Sequence, residues 1–130
     1  IIIFPSGTVS TTLKFYERKS KAFDCEWKKF TSRLIKQTDP AIVPINFPGT
    51  NSFAFQIFSH LSVVLRSSLL FFEIRRRIDT EVDIFVGDSF KYSELGTDLS
   101  NDELADMLRT KTYLLDNKYL SAPPYGLDPD

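Results

Sequence analysis

Cysteine, histidine and net charge are all scarce in this chain of 130 residues, and each scarcity excludes a class of chemistry. Cys25 is the sole cysteine. It cannot close an internal disulfide, which fits a reducing, cytoplasmic compartment. It has no His/Asp arrangement nearby in sequence, so a nucleophilic role is not expected. His60 is the sole histidine, and no Cys/His set has metal-ligand spacing, so no metal site is expected. No Walker loop, dinucleotide glycine pattern or internal repeat occurs. The net charge of −1 gives no reason to expect a nucleic-acid partner. Residues 1–4 are too few to span a membrane, and the apolar stretch 61–78 is interrupted by Arg66 and closed by Arg75, Arg76 and Arg77.

What remains is an ordinary globular composition, 42% hydrophobic and 25% charged, long enough to bury a core. The twelve phenylalanines fill that core or line an acyl-chain channel. The expected fold is α/β, a mostly parallel sheet flanked by helices, over residues 1–118. Residues 119–130, rich in proline, form a loosely ordered tail.

The first ten residues organise this expectation. Ile1, Ile2, Ile3 and Phe4 suit a strand buried on both faces. Pro5 stops the ladder, Gly7 permits a positive φ, and Ser6, Thr8 and Ser10 carry small hydroxyls. A second apolar run, Ala41 to Phe47 with Pro44 inside it, ends in Pro48-Gly49-Thr50-Asn51-Ser52. Pro44 implies an edge, a bulge or a bend there. If the two runs are parallel neighbours, both polar loops emerge at one end of the sheet, where open α/β sheets hold ligands.

Between these runs, residues 11–23 read as an irregular loop with Lys14, Arg18, Lys19 and Lys21. Those cations either hold phosphates or are simply solvated. Asp24 is the expected N-cap of a helix whose inward stripe is Trp27, Phe30, Thr31, Leu34, Ile35 and Thr38, ending near Asp39-Pro40. Residues 53–61 read as a short helix ending at His60, a residue more suited to a surface or core edge than to catalysis. Residues 61–78 read as a buried helix with a cationic last turn, or else as a helix lying in a membrane interface. Val82, Ile84 and Val86 mark a third strand ended by Gly87, and residues 88–99 a loop. Ser100 and Glu103 form a capping box for a helix carrying Leu104, Met107, Leu108 and Leu115 and running to about Asn117.

The block Phe4-Pro5-Ser6-Gly7-Thr8-Val9-Ser10 resembles the Phe-Pro-Glu-Gly-Thr-Arg-Ser block of the glycerolipid and lysophospholipid acyltransferases. Ile42-Val43-Pro44-Ile45 resembles the apolar Val-Pro block that follows it in that family. Gly49-Thr50-Asn51-Ser52, then Leu65-Arg66-Ser67-Ser68-Leu69-Leu70, then Leu108-Arg109-Thr110-Lys111-Thr112-Tyr113, are similar to a bacterial branch often labelled haemolysin and related to acyltransferases that make amino-lipids. The resemblance covers roughly residues 1 to 115. It implies transfer of a fatty acyl group from acyl-CoA or acyl carrier protein, as cosubstrate, to a hydroxyl or amine of a lipid precursor. It implies an acceptor site formed by Phe4, Pro5, Ser6, Gly7, Thr8, Ser10, Pro44, Asn51 and Ser52. It also implies peripheral association with the inner face of a membrane and no dissociable cofactor.

Ser6 stands where the family has Glu, and Val9 where it has Arg. In the family those charges bind the polar acceptor, so their absence argues against a phosphate-bearing acceptor. The family's catalytic His-x4-Asp block is also missing, since the residue five positions after His60 is Leu65. That block lies upstream in the family. With Met107 the sole methionine and an apolar opening, the chain reads as the C-terminal half of a larger domain, with an N-terminal half as its partner. A non-enzymatic membrane-associated module is the rival expectation.

Overall fold

The structure, a computed structural model, describes residues 1–8, 10–12, 22–49, 52, 55, 63–116 and 125. Among these, the chain is a small α/β protein. β1 (Thr11–Thr12) pairs antiparallel with β2 (Ala22–Phe23), and α1 spans Lys29–Thr38. β3 (Ile45–Asn46) pairs antiparallel with β4 (Phe85–Val86). Between them in sequence lies α2 (Val63–Arg77), and a 3₁₀ turn at Tyr92–Leu95 leads into α3 (Asn101–Tyr113).

The helix ends follow local chemistry. Ser100 Oγ accepts from the Glu103 N–H at 3.2 Å and Glu103 Oε2 accepts from the Ser100 N–H at 2.7 Å, so the predicted capping box starts α3. α1 stops where Asp39 turns left-handed at φ 41° before Pro40, close to the predicted boundary.

The core lies between α1 and α3. Trp27, Ile35, Leu104, Ala105 and Leu108 are buried together, and Ile42, Phe90 and Met107 pack against them. The buried face of α1 is Thr31, Ser32 and Ile35, of which Thr31 and Ile35 belong to the expected stripe and Ser32 does not. Phe30 and Thr38, expected inward, are exposed. Trp27 precedes the helix and reaches the core from the lead-in segment.

Several strand expectations differ. Residues 1–4 form no strand and are exposed, and both described strand pairs are antiparallel. β-branched composition favours extended backbone, but a ladder needs a partner edge, and no described strand offers one to residues 1–4. The loop expected at 11–23 begins and ends as the β1–β2 pair; residues 13–21 lie outside the described set. The run 41–47 shortens to β3 plus a single bridge between Ile42 and Phe90. Gly87 donates to the Pro44 carbonyl at 2.9 Å. Two residues, Asp88 and Ser89, therefore stand opposite Val43 alone. This is a bulge, one of the three readings that Pro44 allowed. The helix expected at 53–61 lies outside the described residues, as does His60, except that Phe55 is helical and buried.

Two predictions follow from these contacts. A Cβ on Gly87 would sit 2.8 Å from Pro44 Cγ and from Leu115 Cδ2. The leucine can shift, but the proline ring cannot. Gly87→Ala should lower unfolding free energy by about 1–3 kcal/mol in urea titration.

The second concerns pH. The backbone N–H of Ser93, then its hydroxyl, hold Asp39 below the usual carboxylate range, and the Ser100 hydroxyl, then its N–H, hold Glu103 below it. A carboxylate depressed in the folded state stabilises above its unfolded pKa, and that contribution is lost as pH falls through the folded value. The urea midpoint should therefore fall on acidification below the ordinary carboxylate range. Glu103→Gln should flatten that decline.

Candidate functional site

The loop 4–10 is a built feature, and its anchor is Asp24. The Gly7 N–H donates to the Phe4 carbonyl at 3.1 Å, closing a β-turn with Pro5 and Ser6 at its centre, an order that suits proline's fixed φ. Gly7 follows at φ 68°, and a Cβ there would meet nothing within 4 Å. Ser6 is buried, and its hydroxyl donates to the Thr8 carbonyl at 2.9 Å. The Pro5 carbonyl accepts from the Lys28 N–H at 2.9 Å, just before α1. The buried Cys25 thiol points at the Ser6 carbonyl, 3.8 Å away.

Asp24 collects four bonds. Its carboxylate accepts from the Ser10 hydroxyl through Oδ1 and from Trp27 Nε1 at 2.9 Å through Oδ2. Its backbone N–H donates to the Tyr113 hydroxyl at 2.9 Å, and its carbonyl accepts from Arg109 Nη2 at 3.2 Å. The expected N-cap role of Asp24 is therefore overturned: α1 begins at Lys29 behind Lys28, with no side-chain cap. Ser10 and Trp27 take the carboxylate first.

Arg109 and Tyr113 lie four residues apart, one turn of α3, so both face the loop. The Arg109 guanidinium stacks over Tyr113 at 5.1 Å and over Tyr125 at 4.3 Å. The Tyr125 hydroxyl donates to Asp106, which, with burial, pushes the phenol pKa up.

The nine expected site residues therefore separate. Ser6 spends its hydroxyl on the loop itself and Ser10 on Asp24, and Phe4 and Gly7 are the exposed members among the described residues of the loop. The Gly7 N–H is used by the turn. Pro44 serves the β3–β4 bulge. Ser52 is held on α2, where its N–H and hydroxyl both donate to Glu73, the N–H at 2.9 Å. Asn51 lies outside the described residues. Sequence reasoning did not single out Asp24, Tyr113 or Glu73 for these roles. Arg109 and Tyr113 do occur in the last quoted block, and their four-residue spacing is the signal that pairs them.

Among the described residues no group of His, Cys, Asp and Glu is placed to hold a metal. No protein-family model, curated protein or solved structure matches the chain.

Trp27 is the sole tryptophan, so its emission reports on the Asp24 anchor. Asp24→Ala leaves the indole N–H and the Ser10 hydroxyl unpaired. It should cost about 1–3 kcal/mol and shift the emission. An unchanged unfolding midpoint with unchanged emission would show that the anchor does not form.

Proposed function

We propose that this chain is part of an acyltransferase. It moves a fatty acyl group from acyl-CoA or acyl carrier protein to a hydroxyl or amine of a lipid precursor. The whole domain carries a mostly parallel sheet flanked by helices. One observation carries the proposal. Two blocks of the resemblance, residues 4–10 and 108–113, are about a hundred residues apart in sequence, yet both are tied to Asp24. That union leaves the backbone around Gly7 exposed, where an acceptor can approach.

In the proposed reaction a His, oriented by an Asp, takes the proton of the acceptor hydroxyl or amine. The acceptor attacks the thioester carbonyl, a new ester or amide bond forms, the C–S bond breaks and the thiol leaves. This chain has no His-x4-Asp pair, so it contributes acceptor binding. The base belongs to an N-terminal half of the same domain. The protein works at the cytoplasmic face of a membrane.

The rival reading is a non-enzymatic membrane-associated module. It is favoured by the exposed Phe71, Phe72 and Ile74. Dye leakage from vesicles without acyl transfer would support it.

The test is thiol release from acyl-CoA and acyl carrier protein by the full-length protein with a lipid acceptor. Gly7 and Gly96 supply a matched pair, with φ 68° and 67° and open space at both. Alanine at either position carries a similar backbone strain. Gly7→Ala should lower kcat/KM for the acceptor about tenfold or more through misplaced loop backbone. Gly96→Ala should leave it near wild type. Equal losses, or no thiol release by the wild type, would remove the acyltransferase reading.

A further inference from the structure

The inner side of α2 buries one carboxylate beside the half-buried Leu69 and Leu70. Glu73 is only 7% exposed and accepts both bonds from Ser52. On the opposite side, Val64, Phe71 and Ile78 recur at i, i+7 and i+14, flanked by Phe72 and Ile74. All five are exposed, Phe71 at 78% and Phe72 at 63%. An ordinary surface helix keeps a continuous apolar stripe of this kind out of water. The expected burial therefore fails for Val64, Phe71, Phe72, Ile74 and Ile78, and that apolar face calls for a covering partner.

Charge says which partner. The last turn carries Arg75, Arg76 and Arg77, all exposed. Arg75 lies on the apolar side, i+4 from Phe71. Arg76 reaches round to Glu73 at 3.8 Å. The Arg77 guanidinium lies beside Gly49, at the end of the β3 run. An apolar face with a cationic end complements acyl chains below anionic headgroups. We propose that the outward face of α2 seats on the surface of an anionic phospholipid bilayer. Phe71, Phe72, Ile74 and Ile78 enter the acyl boundary, and Arg75 and Arg76 meet headgroup phosphates. This deepens the reading of a lipid-acting protein and rests on it. No helix among the described residues is long and apolar enough to cross a membrane, so the contact is lateral.

Exposed acids follow the helix at Asp79, Glu81 and Asp83, past the reversal at Asp79, whose φ is 61°. They keep the local cationic excess small. Binding therefore needs the apolar face and the arginines together, and is salt-sensitive.

The experiment is co-sedimentation of the full chain with phosphatidylcholine vesicles, with and without phosphatidylglycerol. Wild type should bind the anionic vesicles preferentially. The triple variant Arg75→Gln, Arg76→Gln, Arg77→Gln should bind roughly tenfold or more weakly. The double variant Phe71→Ser, Phe72→Ser should also bind more weakly, by a similar factor. Both alter exposed side chains, so circular dichroism should show a retained fold. The control Lys28→Gln, Lys29→Gln, Arg33→Gln removes the same charge from the exposed side of α1 and should bind like wild type.

No binding by wild type overturns the proposal. So does an equal loss in the control, or a dimer of the free protein that the Phe71 variant disperses. Vesicle binding without thiol release supports this face and removes the enzyme reading, so the two failures are distinguishable.

Discussion

Asp24 uses both carboxylate oxygens, its N–H and its carbonyl, and the partners come from three places: Ser10 in the loop, Trp27 beside it, and Arg109 and Tyr113 on α3. The two carboxylate bonds are charge-assisted, the stronger kind. Each net bond contributes about 0.5–3 kcal/mol. The exposed Lys29–Asp102 ion pair between α1 and α3, at 2.9 Å, is worth at most about 1 kcal/mol. The joint between loop and core therefore depends on Asp24 and not on the ion pair. Trp27 makes the coupling mechanical as well, because the indole that bonds Asp24 also packs on Ile35, Leu104 and Leu108. Loop position and core packing share one side chain.

Legibility followed the range of each interaction. The capping box at Ser100 and Glu103, the stop at Asp39-Pro40 and a helix within 61–78 are decided within a few residues, and the sequence alone predicted all three. Strands were decided by partners far along the chain. Ile1 to Phe4 has strand composition yet makes no strand, whereas Thr11–Thr12, read as loop, pairs with Ala22–Phe23. Asp24 was misread for the same reason. Its local context fits an N-cap, but Ser10, fourteen residues back, competes for the carboxylate. Of the candidate site, the turn at Pro5 and the positive φ of Gly7 were readable from residue type. The inward use of the Ser6 and Ser10 hydroxyls was not, because it depends on which side of the loop meets the core.

The α2 segment separates two questions that hydrophobic patterning tends to merge. Period fixes whether a helix forms; it does not fix which side turns inward. Here the inner side takes Glu73 together with Leu69 and Leu70. Leaving Glu73 buried without donors would carry a large desolvation cost. Ser52 supplies an N–H and a hydroxyl together, so that side can be buried. With that side turned inward, Phe71 and Phe72 face outward.

A similar logic governs the β3–β4 ribbon. Strand residues alternate faces, so Ile42, Pro44 and Asn46 share one side, and Val43, Ile45 and Phe47 the other. Gly87 stands opposite Pro44. Without a bulge, a residue three positions on from Gly87 would face away from the core. The extra residue at Asp88-Ser89 resets the alternation, and Phe90 returns to the inner side opposite Ile42. The proline that withholds a ladder bond and the glycine that accommodates its ring at close range sit where the register shifts. The outer side keeps Val43, Ile45, Phe47, Ile84 and Val86, all exposed. A run apolar on both sides is the signature of a strand covered on both faces. The structure covers the inner side with α3 and the core, and leaves the outer one as apolar surface.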